Sequence, residues 1–228
     1  MRKITALLAG LALAMVAMPA PAALADDIPP NAIVSEGNGA AVFIGYGGDR
    51  TVDLAWRPSK KYEDATMLYQ VQRSDGAMLE SKTRAASLTD RNLQPNTNYT
   101  YRLTVFQSIV KTFTVNGEDV KRTITKRVGT NAITVLTLPT MVVGLTATTA
   151  PTTPGVINVN WQPPQNAVNS PITYSVLLDD NVMAYGLTVF SYTLTGVTNT
   201  KAHSVKVVSE NAAGQAKANA TITNVKVG

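Results

Sequence analysis

The chain has 228 residues, no cysteine and a formal net charge of +5. Without cysteine there are no disulfide bonds, so a mature chain of about 200 residues must be held together by the packing of its core. The charge excess is too small and too widely spread to indicate a nucleic-acid-binding protein.

Residues 1–25 have the pattern of a secretory signal peptide. A basic start at Arg2-Lys3 precedes an apolar run over residues 4–18, and Ala23-Leu24-Ala25 provides a small-residue cleavage pattern. The apolar run is interrupted by Gly10 and is shorter than the roughly 20 residues of a membrane-spanning helix. We therefore expect cleavage after Ala25 and a secreted, extracellular protein without a membrane anchor in its mature form.

The predicted mature chain begins with a leader and continues as a series of strands. Over residues 26–39, Pro29-Pro30 and two glycines predict a flexible segment. Short runs of alternating apolar and polar residues then predict strands, of which residues 51–56 and 156–161 are the clearest. Residues 45–49, Gly-Tyr-Gly-Gly-Asp, are interpreted as a flexible turn before the first of these. The pattern favours an all-β fold.

The same residue spacings occur twice along the chain. The repeated pairs are Trp56/Tyr69 and Trp161/Tyr174, each 13 residues apart, and Leu93/Tyr99 and Val197/His203, each six residues apart. A constant offset of this kind indicates duplication of a unit of about 100 residues. Many short strands with turn signals at this spacing predict a β-sandwich for each unit.

These residues resemble the fibronectin type III family. The resemblance rests on a tryptophan in the second strand of each copy, an aromatic residue 13 positions later, and the Leu-x-Pro-x-Thr-x-Tyr corner that runs from Leu93 to Tyr99. It implies two tandem immunoglobulin-like β-sandwiches, over residues 40–140 and 141–228. It implies little about function, because such domains serve as adhesive modules, spacers and binding scaffolds alike.

The resemblance also suggests a role for the one histidine of the chain. In these sandwiches the corner tyrosine, here Tyr99, packs beneath the preceding loop and bonds to nearby backbone. His203 occupies the equivalent position in the second copy, where Asn199 replaces the corner proline. A structural role for His203 is therefore favoured over a catalytic or metal-binding one.

The sequence offers little else for catalysis. It has neither a Gly-x-Ser-x-Gly elbow nor a phosphate-binding glycine loop, and one histidine cannot form a His/Cys metal site. Acidic pairs at Glu63-Asp64, Glu118-Asp119 and Asp179-Asp180 could bind calcium or act on a glycoside, but such pairs are typical of solvated turns. We expect no enzymatic activity, no cofactor and no metal ion.

The first copy departs from the second between its last two strands. Val105 to Ile133 spans 28 residues, whereas Ser209 to Thr221 spans 12, so the first copy has about 16 extra residues. An insertion of this length between two sandwich strands extends the loop that joins them.

The insertion has the pattern of a hairpin. Residues 112–115 and 120–128 alternate around Asn116-Gly117-Glu118-Asp119, and Asn-Gly is the strongest short hairpin signal. By the two-residue period, one side carries Ile109, Phe113, Val115, Val120, Ile124 and Val128 with Lys111, Arg122 and Lys126, and the other carries Val110, Thr112, Thr114, Lys121, Thr123, Thr125 and Arg127. An isolated ribbon is marginal in water, so its apolar side should rest on its own domain, the neighbouring domain or a partner.

Positive charge is concentrated in the first copy. Residues 33–140 contain 14 basic and 10 acidic residues, against four and three in residues 141–228. The resembled fold places the loop after the second strand and the hairpin at one pole. That pole would collect Arg57, Lys60, Lys61, Lys121, Arg122, Lys126 and Arg127, with Lys82 and Arg84 close by. The cations either bind a polyanion or keep an exposed ribbon from edge-to-edge aggregation.

The preferred interpretation is a secreted, non-enzymatic binding or adhesion module. Its basic pole would contact an anionic polysaccharide, a cell-surface polymer or an acidic protein, with no nucleic acid or membrane as partner. One alternative is an accessory protein of extracellular polysaccharide degradation, because bacterial members of the resembled family often accompany glycoside hydrolases. Another is a structural spacer or assembly subunit whose hairpin edge adds a strand to a neighbour. The short connection Pro139-Thr140-Met141 predicts a semi-rigid, end-to-end arrangement, and the oligomeric state stays open.

Overall fold

The computed structural model describes residues 29, 31–37, 39–149, 153–198 and 201–227. The expected signal peptide, residues 1–25, lies outside the described residues. Within those ranges the chain is almost entirely β, with one short 3-10 turn at Lys60–Tyr62. No helical segment there has the length and apolarity needed to cross a membrane.

The first domain is a sandwich of two antiparallel sheets. One sheet contains, in spatial order, β1 (Ile33–Ser35), β2 (Ala41–Gly47), β3 (Thr51–Pro58) and β6 (Ser87–Arg91). The other contains β5 (Met78–Thr83), β4 (Met67–Arg73), β7 (Asn98–Val115) and β8 (Glu118–Leu136). Inward side chains of both sheets, including Trp56, Val71 and Leu103, form a single buried cluster. The two-residue period of each strand therefore produces the core.

The second domain repeats this arrangement. Its first sheet has the order β13 (Ser191–Leu194), β10 (Ile157–Gln162) and β9 (Val143–Thr149). Its second sheet has the order β12 (Asn181–Leu187), β11 (Thr173–Leu178) and β14 (His203–Asn211), and both β15 (Gly214–Gln215) and β16 (Ala220–Val225) pair with β14. Trp161, Tyr174 and Val207 belong to a second, separate core. The prediction of two tandem β-sandwiches is confirmed.

Two segments predicted as flexible contain strand. Ile33–Ser35, within the expected leader, forms β1 and pairs with β2. The interpretation of residues 45–49 as a turn is wrong as far as Gly47, because β2 continues to that residue. A Cβ at Gly45 would lie 2.5 Å from a Val135 methyl carbon, and one at Gly47 would lie 2.1 Å from the Leu136 carbonyl oxygen. These glycines allow β2 to approach β8 closely instead of forming a turn.

An asparagine cluster joins the two domains. Asn96 is fully buried, and its Nδ2 donates to the carbonyl oxygens of Asn166 at 2.8 Å and Ser170 at 2.9 Å in the second domain. Asn211 Nδ2 in turn donates to Asn96 Oδ1 at 2.9 Å and to the Thr137 carbonyl at 2.8 Å. Buried amides bonded on several sides define a single relative position for the groups they join. The junction is thus formed by side chains in addition to the short linker.

Candidate functional site

The β7–β8 hairpin extends beyond the rest of the first domain. The neighbouring strand β4 begins at Met67, which pairs with Gln107, so β7 has no strand partner on that side beyond this level. The two hairpin strands continue pairing up to Val115 and Glu118, and the turn is Asn116-Gly117 with φ of 54° and 83°. Positive φ at both turn residues is the geometry of a two-residue type I′ turn, which Asn-Gly favours.

The outer part of the hairpin is exposed on both sides. Val110 is 64%, Phe113 41%, Val115 42% and Val120 37% exposed. Of the residues predicted for the apolar side, Val128 packs against the core of the first domain, and Ile109 and Ile124 are half-buried. The base of the hairpin therefore rests on its own domain, whereas the outer part of its apolar side is exposed.

Cross-strand pairing divides the hairpin side chains between two faces. The inner face continues the core-facing side of the sheet, because Ile109, Lys111 and Phe113 follow Leu103 and Val105 at even spacing along β7. A one-residue bulge opposite Val105 and Phe106 changes the parity of β8. From base to tip, the inner face carries the pairs Gln107–Lys126, Ile109–Ile124, Lys111–Arg122, Phe113–Val120 and Val115–Glu118. The outer face carries the pairs Phe106–Arg127, Ser108–Thr125, Val110–Thr123, Thr112–Lys121 and Thr114–Asp119.

Four of the five hairpin cations, those predicted as binding residues, lie in pairs on opposite faces and at two levels. Arg122 and Lys126 belong to the inner face, whereas Lys121 and Arg127 belong to the outer face. Lys126 and Arg127 lie at the level where β4 begins. Lys121 and Arg122 lie four to six residues farther out, roughly 14–20 Å toward the tip.

The loop cations have different surroundings from the hairpin cations. Arg57 and Lys60 line a surface groove together with the carboxylate-bearing Glu36 and Glu63. Lys61 Nζ lies 5.3 Å from the ring centroid of Tyr62. Lys82, which the sequence placed near the pole, has its Nζ 5.5 Å from the ring centroid of Phe106 at the hairpin base. Of the three loop cations, two line a groove with acidic residues and one lies against an aromatic ring, whereas the other four cations lie along the hairpin.

The tryptophans and their aromatic partners lie in the two cores. Trp56 is fully buried with its ring centroid 5.9 Å from that of Tyr69, and the Trp161 and Tyr174 centroids are 5.6 Å apart. Trp56 Nε1 donates to the Ala85 carbonyl at 2.8 Å, whereas the buried Trp161 Nε1 has no hydrogen-bond partner among the described residues. The two cores share their packing but differ in this hydrogen bond.

The two corner residues make matching contacts. The Tyr99 hydroxyl accepts a hydrogen bond from the Gln94 N–H at 2.9 Å, above the buried Leu93. His203 Nε2 donates to the Thr198 carbonyl at 2.8 Å, and both bonds span five residues. The other ring nitrogen, Nδ1, lies 2.9 Å from Asp179 Oδ2. Because Nε2 is engaged and the ring is 5% exposed, the Asp179–His203 pair has no free nitrogen to act as a general base.

The partners of this corner favour the charged forms of His203 and Asp179. The hydrogen bond to the Thr198 carbonyl, followed by that to Asp179, raises the pKa of His203 above its ordinary value of 6.5. The Ser204 N–H, followed by Lys201 and His203, lowers the pKa of Asp179 below its ordinary value of 3.8. Two acceptors around one imidazole favour the doubly protonated ring.

We expect the stability of the second domain to depend on pH through His203. The pKa of His203 is higher in the folded state than in the unfolded state. Its contribution to the free energy of unfolding is therefore complete below the unfolded-state pKa near 6.5 and is lost as pH rises through the folded-state pKa. The Asp179 contribution is present above about 3.8 and is lost at lower pH. Thermal unfolding at pH 5.5 and pH 8.5, followed by the indole N–H signal of Trp161, should show a lower Tm at pH 8.5.

The control for this pH effect is His203→Gln, which keeps a side-chain donor but does not titrate. It should show almost the same Tm at both pH values, while the first domain, followed by the indole signal of Trp56, should be unaffected. An unchanged pH dependence in His203→Gln would contradict the assignment.

The acidic pairs do not assemble into a metal site. Within the described ranges, no group of three or more acidic or histidine side chains is arranged to hold a metal ion. Glu118 and Asp119 are successive strand residues on opposite hairpin faces, and Thr114 Oγ1 donates to Asp119 Oδ1 at 3.1 Å. The neighbours Asp179 and Asp180 bind His203 and Lys206.

Sequence reasoning missed a buried charge cluster in the first domain. Asp90 Oδ2 accepts hydrogen bonds from the Tyr101 hydroxyl at 2.9 Å and from Arg73 Nη1 at 2.7 Å. Asp90 and Tyr101 are both buried. The signal was present in β6, where Asp90 stands two residues after Leu88 and hence on the inward side. The cluster lies between the sheets and has a structural role.

Comparisons with known proteins bear on the fold. No family model matches the sequence, and no curated protein does so. Among solved structures, the chain is similar to a two-domain fibronectin type III segment of chicken tenascin. The match has 15% sequence identity and a TM-score of 0.37, and it covers 84% of this chain and 97% of that chain. It is also similar to the fibronectin(III)-like modules of Clostridium thermocellum CbhA, with 10% identity, 79% and 88% coverage, and a TM-score of 0.37. The strand order of each domain, β2-β3-β6 facing β5-β4-β7-β8 and its repeat, is that of an immunoglobulin-like β-sandwich.

Proposed function

We propose that this chain is a secreted, non-enzymatic binding or adhesion module whose contact surface is the β7–β8 hairpin. One observation carries the proposal: the outer part of the hairpin, residues 110–123, exposes apolar and cationic side chains. Exposed apolar patches on soluble proteins mark interaction sites. A hairpin that only connected two strands would not need three exposed apolar side chains, Phe113, Val115 and Val120, on one face.

An anionic partner fits the charge of this surface. Residues 109–128 carry five basic and two acidic side chains, for a net charge of +3. None of the five cations forms an ion pair with a described carboxylate. The partner class is therefore an acidic polysaccharide, a cell-surface polymer or an acidic protein, and salt should weaken its binding.

The test is the variant Lys121→Ser/Arg122→Ser/Lys126→Ser/Arg127→Ser. Wild-type protein should bind immobilised polygalacturonate, lipoteichoic acid or polyglutamate at 50 mM salt and lose binding at 500 mM salt. Because each exposed ion pair contributes about 0.2–1 kcal/mol, the variant should bind roughly ten-fold or more weakly. Surface plasmon resonance against the three polymers measures both effects.

The control is Arg57→Ser/Lys60→Ser/Lys61→Ser, which removes the three loop cations and leaves the hairpin intact. Its binding should fall less than three-fold. Binding of the hairpin variant at the wild-type level would remove the basis of the proposal.

A further inference from the structure

The inner face of the hairpin has an ordered sequence of cross-strand pairs. Ile109–Ile124 is followed by Lys111–Arg122 and then by Phe113–Val120, so a cationic pair stands between two apolar pairs. Successive pairs on one face are two residues apart, which is roughly 7 Å. The three pairs thus form a stripe of apolar, positive and apolar groups in the spacing of a β-strand.

The central pair is unfavourable in the isolated chain. Like charges directly opposite each other across two strands destabilise the pairing. No described carboxylate lies within ion-pair distance of Lys111 or Arg122. The nearest acidic residue along this face, Glu118, is two pairs away, opposite Val115. The positive charges of Lys111 and Arg122 are therefore available to pair with an acidic group of another molecule.

The inner face of a second copy does not supply that negative charge. Packing two inner faces together would bring two Lys111–Arg122 pairs into one buried layer, and each hairpin has a net charge of +3. Like charges facing each other at an interface cost several kcal/mol, by order of magnitude. The partner must instead be acidic at the centre and apolar on either side.

The apolar groups distinguish between two acidic partners. Four of the six side chains in the stripe are apolar, and three of these, Ile109, Ile124 and Val120, are branched aliphatics. Sugar rings are bound by aromatic platforms, of which this stripe has one, at Phe113. Branched aliphatic side chains pack well on the pleated surface of another sheet. The composition favours a protein over a polysaccharide.

We propose that the inner face binds an acidic protein in β conformation. An acidic side chain of the partner pairs with Lys111 and Arg122, and apolar side chains two residues before and after it pack on the flanking pairs. This inference rests on the proposed function, because it selects one of its three partner classes and one of the two hairpin faces.

The first experiment compares two variants that remove the same charge from opposite faces of one hairpin. Lys111→Ser/Arg122→Ser changes the inner face, and Lys121→Ser/Arg127→Ser changes the outer face. The probe is a cyclised β-hairpin peptide with Val-Thr-Glu-Thr-Val on one strand, and the control peptide has Lys in place of Glu. Amide shifts in NMR titration of the mature chain report Kd and the binding face.

The inner-face variant should weaken binding of the glutamate peptide at least ten-fold, and the outer-face variant less than two-fold. The lysine peptide should not bind. Equal losses in the two variants would show simple attraction to net charge and would overturn the inference.

The second experiment tests the apolar pairs in the same way. Phe113→Ser removes an apolar group from the inner face, and Val110→Ser removes one from the outer face. Only Phe113→Ser should weaken binding, by about five-fold or more. Both residues lie outside the sandwich cores, so unchanged indole N–H signals of Trp56 and Trp161 verify the fold of each variant.

The two proposals fail in different ways. If acidic polymers bind in a salt-dependent manner while the glutamate peptide does not bind, the proposed function stands and the protein-partner inference falls. If neither the polymers nor the peptide bind, both fall.

Discussion

Replacing Trp56 with alanine is expected to destabilise the first domain by about 3–5 kcal/mol. The side chain is fully buried, and its ring lies 6.3 Å from that of Phe43 and 5.9 Å from that of Tyr69. The substitution also leaves the Ala85 carbonyl without its indole donor. Since domains of this size are stable by about 5–15 kcal/mol, much of the domain's stability would be lost.

Urea unfolding followed by NMR measures the effect for each domain separately. In Trp56→Ala, methyl signals of Val71 and Leu103 should broaden at much lower urea concentration, while the indole signal of Trp161 should keep its wild-type midpoint. Trp161→Ala should give the converse result. A loss below 1 kcal/mol in Trp56→Ala would contradict the packing described for this core.

A milder pair of variants separates packing from hydrogen bonding. Trp56→Phe removes the bond to Ala85, whereas Trp161→Phe removes an indole N–H that has no partner. Because an unpaired buried donor contributes no bond, Trp56→Phe should be the more destabilising of the two.

Replacing Asp90 with alanine should have the second largest effect, about 3 kcal/mol. The carboxylate bonds both the Tyr101 hydroxyl and Arg73, whose side chain is 19% exposed. Its removal leaves the buried Tyr101 hydroxyl without its acceptor and removes one of the two carboxylates that pair with the Arg73 guanidinium. Burial first, and then the Asp90 charge, raises the pKa of Tyr101, so Asp90→Ala should also lower that pKa.

The matched control for this cluster is Asp75→Ala. Asp75 bonds the same arginine at 2.8 Å but is 55% exposed, so its removal should cost less than about 1 kcal/mol. Chemical denaturation measures both free energies of unfolding. Equal losses in the two variants would show that burial of Asp90 is unimportant.

The fold could be predicted because its signals are local and repeated. Each sandwich strand alternates inward and outward residues, and the offset between Trp56 and Trp161 made the second copy visible without any structural information. The glycine segment misled the prediction because Gly45 and Gly47 usually indicate turns. Here they allow close approach of β2 to β8, which is a contact between segments distant in sequence.

The candidate site could be predicted only in part. The two-residue period assigned Lys111 and Phe113 to one hairpin side and Lys121 to the other, since it depends on backbone geometry alone. Sequence could not show which part of the apolar side is exposed, or that the loop cation Arg57 lines a groove with Glu36, because both depend on tertiary placement. The contacts of Asn96 were hidden for the same reason, since all its side-chain partners come from the other copy.

The asparagine junction determines how mechanical load passes between the two sandwiches. A pull on the hairpin tip would reach the second domain through side-chain bonds of Asn96, Asn166 and Asn211 as well as through the peptide linker. Because Asn96 and Asn211 are buried, water has little access to these bonds, and they resist rotation of one sandwich against the other. The tandem would therefore transmit a pull from a tethered partner as one stiff arm instead of two freely rotating ones.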